Sequence, residues 1–326
     1  MSTIQSAPRG TWTTEAKRLW THARWPVQSY VALGFFFATV MALNAIDWVL
    51  IVGALAATGI VAGLTILNSY YDKDESPVGG MQNPMAVNET LLWGALAVIF
   101  IAFAIGAAFT AMDIRAWKYV FFMFLTVFVY FFYSYEGTRW KRNGYAAVSI
   151  NAFVGGTIFL GAAVMADIGN PAAGTGLLNG VMSQTPILLC ALCAVFFKAS
   201  VYSMMQVHQI EEDTARGDIS FAVMHGRQTT LRFSQITFLL GGILATVSFF
   251  FPMGFGAVML PSWIPALAAL YFVGGLVGFE MWIRKEGDSH KDSLRMQRMI
   301  QYTGYLGTVS FAAVYVILLL LQVPLT

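Results

Sequence analysis

The sequence predicts an all-α, polytopic membrane protein. Hydrophobic residues make up 57% of its 326 positions and charged residues only 11%, and the mean hydropathy is +0.65, which is outside the range of ordinary soluble domains. Nine apolar stretches are each long enough to cross a hydrocarbon core, which takes about 20 helical residues. They run approximately over Gln28–Ala45, Trp48–Leu67, Thr90–Ala111, Trp117–Tyr135, Tyr145–Met165, Thr185–Val207, Arg232–Phe251, Trp263–Ile283 and Tyr302–Gln322.

The chain divides into a short polar segment and one membrane domain. Residues 1–27 carry Trp12, Trp20 and Trp25 among basic residues, a composition typical of an amphipathic helix on a membrane surface or of a frayed tail anchored by tryptophans. No apolar core stands at the position of a signal peptide, so we expect none to be cleaved. Residues 28–326 hold all nine stretches and are predicted to form a single transmembrane domain.

The distribution of charge predicts the orientation. If the N-terminus is cytoplasmic, all of the 19 basic residues except Arg115, Lys118 and the intramembrane Lys198 lie on that side, as positive-inside sorting requires. We therefore expect an integral membrane protein whose polar site faces the cytoplasm. The net charge of +2 gives no sign of nucleic-acid binding.

Two polar clusters stand where apolar stretches end and predict a metal site. Asn68 and Asp72 are four residues apart, as are Gln209 and Asp213, so each pair shares one face of a helix. Oxygen ligands of this kind suit Mg²⁺, which completes its shell with water and substrate phosphate. Further carboxylates beside the two pairs are alternative ligands, namely Asp74, Glu75 and Glu212.

A polar stripe precedes the second cluster. Lys198, Tyr202 and Gln206 recur every four residues within the sixth stretch, so they share a helix face that leads toward Asp213. A lysine in a span costs roughly 2.5–3.5 kcal/mol at the helix centre, so Lys198 either lines a cavity or snorkels to the interface. Asn151 in the fifth stretch is a similar candidate for lining a cavity.

At these motifs the chain resembles the UbiA superfamily of intramembrane prenyltransferases. Asn68-Ser-Tyr-Tyr-Asp72-Lys-Asp74 is similar to the first aspartate-rich motif of that family, and Gln206 through Gly226 is similar to the second. Arg24-Trp25-Pro26, Tyr133-Ser134 and the run from Arg139 to Arg142 also resemble family segments, as does the nine-span layout. The resemblance extends from about Arg24 to Gln322.

The resemblance implies Mg²⁺-dependent transfer of an isoprenyl group from an isoprenyl diphosphate to a lipophilic acceptor in the bilayer. It implies that Asp72 and Asp213 are catalytic metal ligands. The polar stripe, independently of the resemblance, makes Lys198 and Tyr202 candidates for contact with the diphosphate or the acceptor. The diphosphate would be bound by Asn68, Arg24, Arg139, Lys141, Arg142 and Arg216, through charge-assisted hydrogen bonds. For Arg24, Arg139, Lys141 and Arg142, the alternative is a positive-inside anchor without contact to substrate.

The motifs also depart from the family pattern. Ser69 and Ser76 stand where many members have Asp, and Gln209 replaces another acidic residue, which indicates a divergent branch and leaves the acceptor open. One alternative is a UbiA-type terpene cyclase, in which the prenyl cation reacts with its own double bonds. A secondary transporter is a further alternative, although the acidic residues lie at helix ends rather than at the midplane.

Overall fold

The computed structural model describes residues 10–24, 34, 38, 48–73, 81, 83–252 and 262–284, with the side chains of His208, Arg216 and Trp282 excepted. The helices of these residues are α1 (Trp12–His22), α2 (Trp48–Asp72), α3 (Glu89–Met112), α4 (Trp117–Ser134), α5 (Gly144–Ala163), α6 (Thr185–Gln206), α7 (Ile210–Arg216), α8 (Phe221–Ser248) and α9 (Trp263–Arg284). Within the described ranges no strand is present, so the all-α prediction is confirmed. The first and ninth predicted spans, Gln28–Ala45 and Tyr302–Gln322, lie outside the described residues apart from Gly34 and Ala38.

Seven helices of the described ranges, α2 to α6 with α8 and α9, have the length and apolar composition needed to cross a membrane. Six of them match the predicted spans to within a few residues. The prediction Arg232–Phe251 was wrong at its start, because α8 begins at Phe221. Its first turn is capped by the Ser220 hydroxyl, which accepts from the Val223 N–H, and the backbone at Gly226 departs from helical geometry with φ of 74°.

The spans form a bundle in which successive helices pack against one another, with α6 against both α5 and α8. Small residues allow the backbones to approach closely, as is common between membrane helices. A Cβ at Gly63 of α2 would lie 2.7 Å from Cγ1 of Ile99 on α3. A Cβ at Gly155 of α5 would lie 2.8 Å from the Ala194 carbonyl oxygen on α6.

The alternating direction of the spans brings residues 73, 81, 83–88, 135–143 and 207–220 to one end of the bundle. We call this the motif end, because both polar clusters are in these segments or border them. Helix α1 docks there. The ring Nε2 of His22 lies 2.8 Å from the Met85 carbonyl oxygen, and the Asn88 amide donates to the Glu15 carboxylate. Trp12 and Trp20 of α1 are exposed.

The opposite end of the bundle, the far end, is held by a buried ion pair. Lys118 Nζ lies 2.7 Å from Asp167 Oδ2, and both side chains are fully buried. Lys118 also donates to the Gly174 and Asn179 carbonyls, and Asp167 accepts from the Val181 N–H. Lys118, counted in the sequence with the basic residues of the outer side, is therefore an interior residue of the bundle.

A second carboxylate at the far end is held at the surface. Asp113 pairs with Arg115 at 2.9 Å and accepts from the Gly169 N–H. Burial acts to raise the pKa of Asp113, but hydrogen bonds from Arg115 and Gly169 outweigh it and lower that pKa to about 2. Asp113 is therefore ionised throughout the physiological pH range, and its contacts persist there.

Candidate active site

The first polar cluster lies at the C-terminal end of α2. Asn68 lies one turn before the helix end at Asp72, and its Oδ1 accepts a 2.9 Å hydrogen bond from the Ser134 hydroxyl at the end of α4. The neighbouring Ser69 is buried and accepts a 3.2 Å hydrogen bond from Arg24 Nη2. Ser69, which stands where many family members have Asp, thus offers a hydroxyl to Arg24. The two hydrogen bonds connect α2 to α4 and to the segment that follows α1.

Asp72 lies among basic side chains. Its carboxylate forms an ion pair with Lys141, and Oδ1 lies 4.0 Å from Arg139 Nη2. The side chains of Asp72 and Lys141 are each only 11% exposed. Since charges shielded from water interact more strongly than surface pairs, this contact fixes the end of α2 against the loop that follows α4. Asp74 and Glu75 lie outside the described residues.

The second polar cluster is on the short helix α7. Asp213 is buried, whereas Gln209 and Glu212 are half-buried. Gly217 ends α7 in the left-handed conformation with φ of 72°, which a residue with a Cβ adopts only at a cost. This turn lets the Asp218 N–H donate to the Asp213 carbonyl at 2.9 Å, so a second carboxylate lies directly behind α7. The backbone of Arg216 is in α7, and its side chain lies outside the description.

Arg139 connects the two clusters. Its Nη2 lies 4.0 Å from Asp72 and 3.7 Å from Asp218 Oδ2. Arg142 reaches the other oxygen of Asp218, with 3.5 Å between Nε and Oδ1. Asp218 is 8% exposed and is as central to this network as Asp72. Asp218 stands five residues after Asp213, outside the four-residue spacing that marks the two predicted pairs.

Backbone strain is concentrated at the same place. Among the described non-glycine residues, positive φ occurs at Arg24 (52°), Lys73 (53°) and Arg139 (39°). All three are basic residues at the motif end. Such conformations cost of order 1–3 kcal/mol each and tend to collect at functional sites. The strained backbone at these three residues therefore indicates that the positions of their side chains at the motif end matter for function.

A close backbone approach positions the Arg139–Arg142 loop. A Cβ at Gly144, the first residue of α5, would lie 2.7 Å from Cα of Phe221 at the start of α8. Asn143 and Ile219 form an isolated parallel bridge beside this contact. The two helix starts are therefore in direct contact, and this brings the basic loop against Asp218.

The polar stripe of α6 faces the interior of the bundle. Gly155 of α5 has room only for a hydrogen because the Cβ of Lys198 lies 2.8 Å from where a Cβ would be, so the stem of Lys198 packs on α5. Two turns after Lys198, Gln206 Nε2 donates to the Tyr202 hydroxyl at 2.9 Å. Tyr202 and Tyr133 share a 2.8 Å hydrogen bond between their hydroxyls. Asn151 is buried and donates to the Ala147 carbonyl of its own helix.

The residues of the motif end fit a hard divalent cation. In the described part of the chain, no three acidic, histidine or cysteine side chains form a ready-made cage. Mg²⁺ does not require one, because it usually takes one or two carboxylates with water and phosphate oxygens. Asp72 with Asn68, and Asp213 with Gln209 and Glu212, would supply oxygen ligands only. The two cysteines, Cys190 and Cys193, are buried in α6 and free of any disulfide.

The sequence from residue 29 to 303 matches the family model of the UbiA prenyltransferase family. No curated protein sequence matches it significantly. The fold is similar to several solved structures. A structure of a UbiA homolog from Archaeoglobus fulgidus has a TM-score of 0.60 at 15% identity, with 91% of this chain and 99% of that chain covered.

Two further structures share the fold. The same archaeal homolog bound to DMAPP and Mg²⁺ has a TM-score of 0.59 at 15% identity, covering 90% of this chain and 99% of that one. A homolog from Aeropyrum pernix K1 has a TM-score of 0.57 at 18% identity, covering 86% and 98%. At such low identity the likeness extends to the arrangement of helices and does not by itself transfer a substrate.

Proposed function

Because the chain belongs to the UbiA prenyltransferase family, we propose that it transfers an isoprenyl group from an isoprenyl diphosphate to a lipophilic acceptor in the membrane. The contact of Arg139 with both Asp72 and Asp218 carries this proposal. It joins the two acidic motifs around one guanidinium at the end of the bundle. An anionic head group can bind there while an apolar chain extends between the helices.

Binding and orientation of the diphosphate are the main tasks of the chain's own residues. Arg24, Arg139, Lys141 and Arg142 supply donors that match phosphate oxygens, and arginines can bind them in bidentate fashion. Arg216 and the Asn68 amide are further candidates. Fixing the head group in this way leaves the bond between the first carbon and its oxygen directed into the bundle, where water is scarce.

Mg²⁺ is the proposed cofactor, held by Asn68, Asp72, Gln209, Glu212 and Asp213, with Asp74 and Glu75 as alternatives. When bound, it would supply positive charge that stabilises the leaving diphosphate. The similar archaeal structure with DMAPP and Mg²⁺ supports this assignment, as does one with GPP and Mg²⁺ at 17% identity.

Departure of the diphosphate leaves an allylic cation, and aromatic rings can stabilise it. Tyr130 and Tyr133 lie with ring centroids 5.0 Å apart, and Tyr202 meets Tyr133 edge to face. Ring faces attract a nearby cation electrostatically. We propose that the motif end faces the cytoplasm, because Arg24, Lys73, Arg139, Lys141 and Arg142 gather there and positive-inside sorting favours that side.

An incubation without acceptor separates transfer from cyclisation. We expect purified protein given Mg²⁺ and geranylgeranyl diphosphate to form prenyl alcohol only slowly, because a transferase relies on a second molecule positioned near the reacting carbon. A cyclase would fold one chain in a closed pocket and release a cyclic product quickly. Mass spectrometry of the extracted lipids distinguishes the two outcomes. Rapid appearance of a cyclic hydrocarbon or cyclic alcohol would replace transfer with cyclisation.

Lys198→Met tests whether the polar stripe serves the reaction. We expect diphosphate release to fall by roughly tenfold, the loss typical of a charged hydrogen-bond donor, while membrane insertion is kept or improved because a charge leaves the span. Steady-state release of diphosphate from purified protein is the measurement. Lys17→Met on the exposed face of α1 is the matched control. Unchanged kinetics in Lys198→Met would assign Lys198 to packing or snorkelling.

A further inference from the structure

The hydrogen bonds among Tyr133, Tyr202 and Gln206 use neither one of the two phenolic protons nor the amide oxygen of Gln206. Gln206 Nε2 donates to the Tyr202 hydroxyl, and the two tyrosine hydroxyls share a single hydrogen bond. Each phenol has one proton. Asn151 is a further side-chain hydrogen-bond partner of Tyr133. Whichever tyrosine donates in the shared bond, the other keeps its own proton.

The spare acceptor is the amide oxygen of Gln206. Its side chain is 4% exposed, and Oε1 accepts no hydrogen bond from any described residue. A buried polar atom left in this way costs about 1–3 kcal/mol. Native proteins leave few such atoms, so the one at Gln206 calls for a physical explanation.

This trio lies between the two acidic motifs. Tyr133 directly precedes Ser134, whose hydroxyl binds Asn68 of the first motif. Gln206 is the last residue of α6, one turn before Gln209 of the second motif. Tyr202 is close enough to Asp213 to interact with its charge. A group bound by the trio would therefore lie beside the place where the diphosphate leaves.

We propose that Gln206 and the Tyr133–Tyr202 pair form an acceptor subsite that selects a neutral hydroxyl, such as an alcohol or phenol, on the lipophilic acceptor. This rests on the proposed prenyl transfer and narrows its acceptor class. A hydroxyl matches the spare groups, because it donates to Gln206 Oε1 and accepts from the spare phenolic proton. A carboxylate does not, since it has no proton for the amide oxygen and would face that oxygen with its own negative charge.

The test compares probes that differ by one group. Full-length protein in detergent is titrated with 4-hexylphenol, its methyl ether 4-hexylanisole and 4-hexylbenzoate, and thermal stabilisation gives each affinity. We expect the phenol to bind at least about tenfold more tightly than the ether or the carboxylate, because the ether leaves the amide oxygen unbonded. Equal affinity for phenol and ether, or preference for the carboxylate, would overturn the proposal.

Variants assign the effect to Gln206. Gln206→Met keeps length and volume but removes the amide oxygen, so we expect it to lose the preference for phenol over ether. Ser203→Ala is the matched control on the same helix, since the buried Ser203 hydroxyl donates only to the Ala199 carbonyl of its own turn. It should bind phenol as the wild type does. A preference that persists in Gln206→Met would remove Gln206 from the subsite.

A separate titration with DMAPP and Mg²⁺ keeps the two proposals apart. Wild-type protein that fails to bind DMAPP would contradict prenyl transfer, whatever the phenol titration gives. Wild-type protein that binds DMAPP but does not distinguish phenol from ether would contradict only the hydroxyl subsite.

Discussion

Asp72→Asn and Asp213→Asn are each expected to lower diphosphate release by at least about a hundredfold, comparable to the loss of a group that stabilises transition-state charge. Asparagine keeps the shape of aspartate and deletes the anionic oxygen that a hard cation requires. Both side chains are shielded, at 11% exposure for Asp72 and 7% for Asp213, so bulk water does not replace the lost charge. Release of diphosphate in saturating Mg²⁺ is the measurement.

Two carboxylates outside the proposed site serve as controls for this experiment. Glu211→Gln makes the same chemical change at an exposed position of α7, and Asp113→Asn makes it at the far end. Both should retain activity near that of the wild type. Thermal unfolding of each purified variant shows whether folding is intact, which matters for Asp72 because it also pairs with Lys141. Activity within tenfold of wild type in a folded Asp72 or Asp213 variant would remove that residue from the metal site.

Lys118→Met is expected to be the most destabilising single change, at about 3–5 kcal/mol, because it leaves a buried carboxylate without its partner. Of the hydrogen bonds that the Asp167 carboxylate accepts within the described residues, the one from the Val181 N–H to Oδ1 would remain. The Gly174 and Asn179 carbonyls would lose their donor as well. Unfolding of the purified protein by denaturant in mixed micelles measures the loss.

A double variant separates charge from shape in this prediction. Lys118→Met combined with Asp167→Asn removes both charges, so it should recover a large part of the stability lost in Lys118→Met alone. Lys17→Met, at an exposed position of α1, should unfold as the wild type does. An unfolding free energy of Lys118→Met equal to that of the wild type would mean that the pair contributes little.

Much of the fold could be predicted because hydropathy governs which segments enter the bilayer. The ends of α3 and α6 fall within one or two residues of the predicted limits. The start of α8 could not be found in this way. Its first eleven residues include His225, Arg227, Gln228 and two threonines, so the helix there depends on the Ser220 cap and tertiary contacts rather than on apolar composition.

The candidate site was partly predictable. Spacing of four residues identified Asn68 with Asp72 and Gln209 with Asp213 as paired positions on helices. The contacts of Asp218 with Arg139 and Arg142 could not be predicted, because they join segments about 80 residues apart that no local pattern links. The burial of Lys118 was missed for the same reason, since its partner carboxylate is 49 residues away.

The docking of α1 has a consequence for the order of events during synthesis. His22 contacts Met85, 63 residues later, and Glu15 contacts Asn88, 73 residues later. The ribosome must therefore complete α2 and begin α3 before α1 can reach its final position. Until then, the bilayer surface offers the exposed Trp12 and Trp20 of the amphipathic α1 an apolar neighbour. The earliest segment to be made is thus among the later ones to be fixed in place.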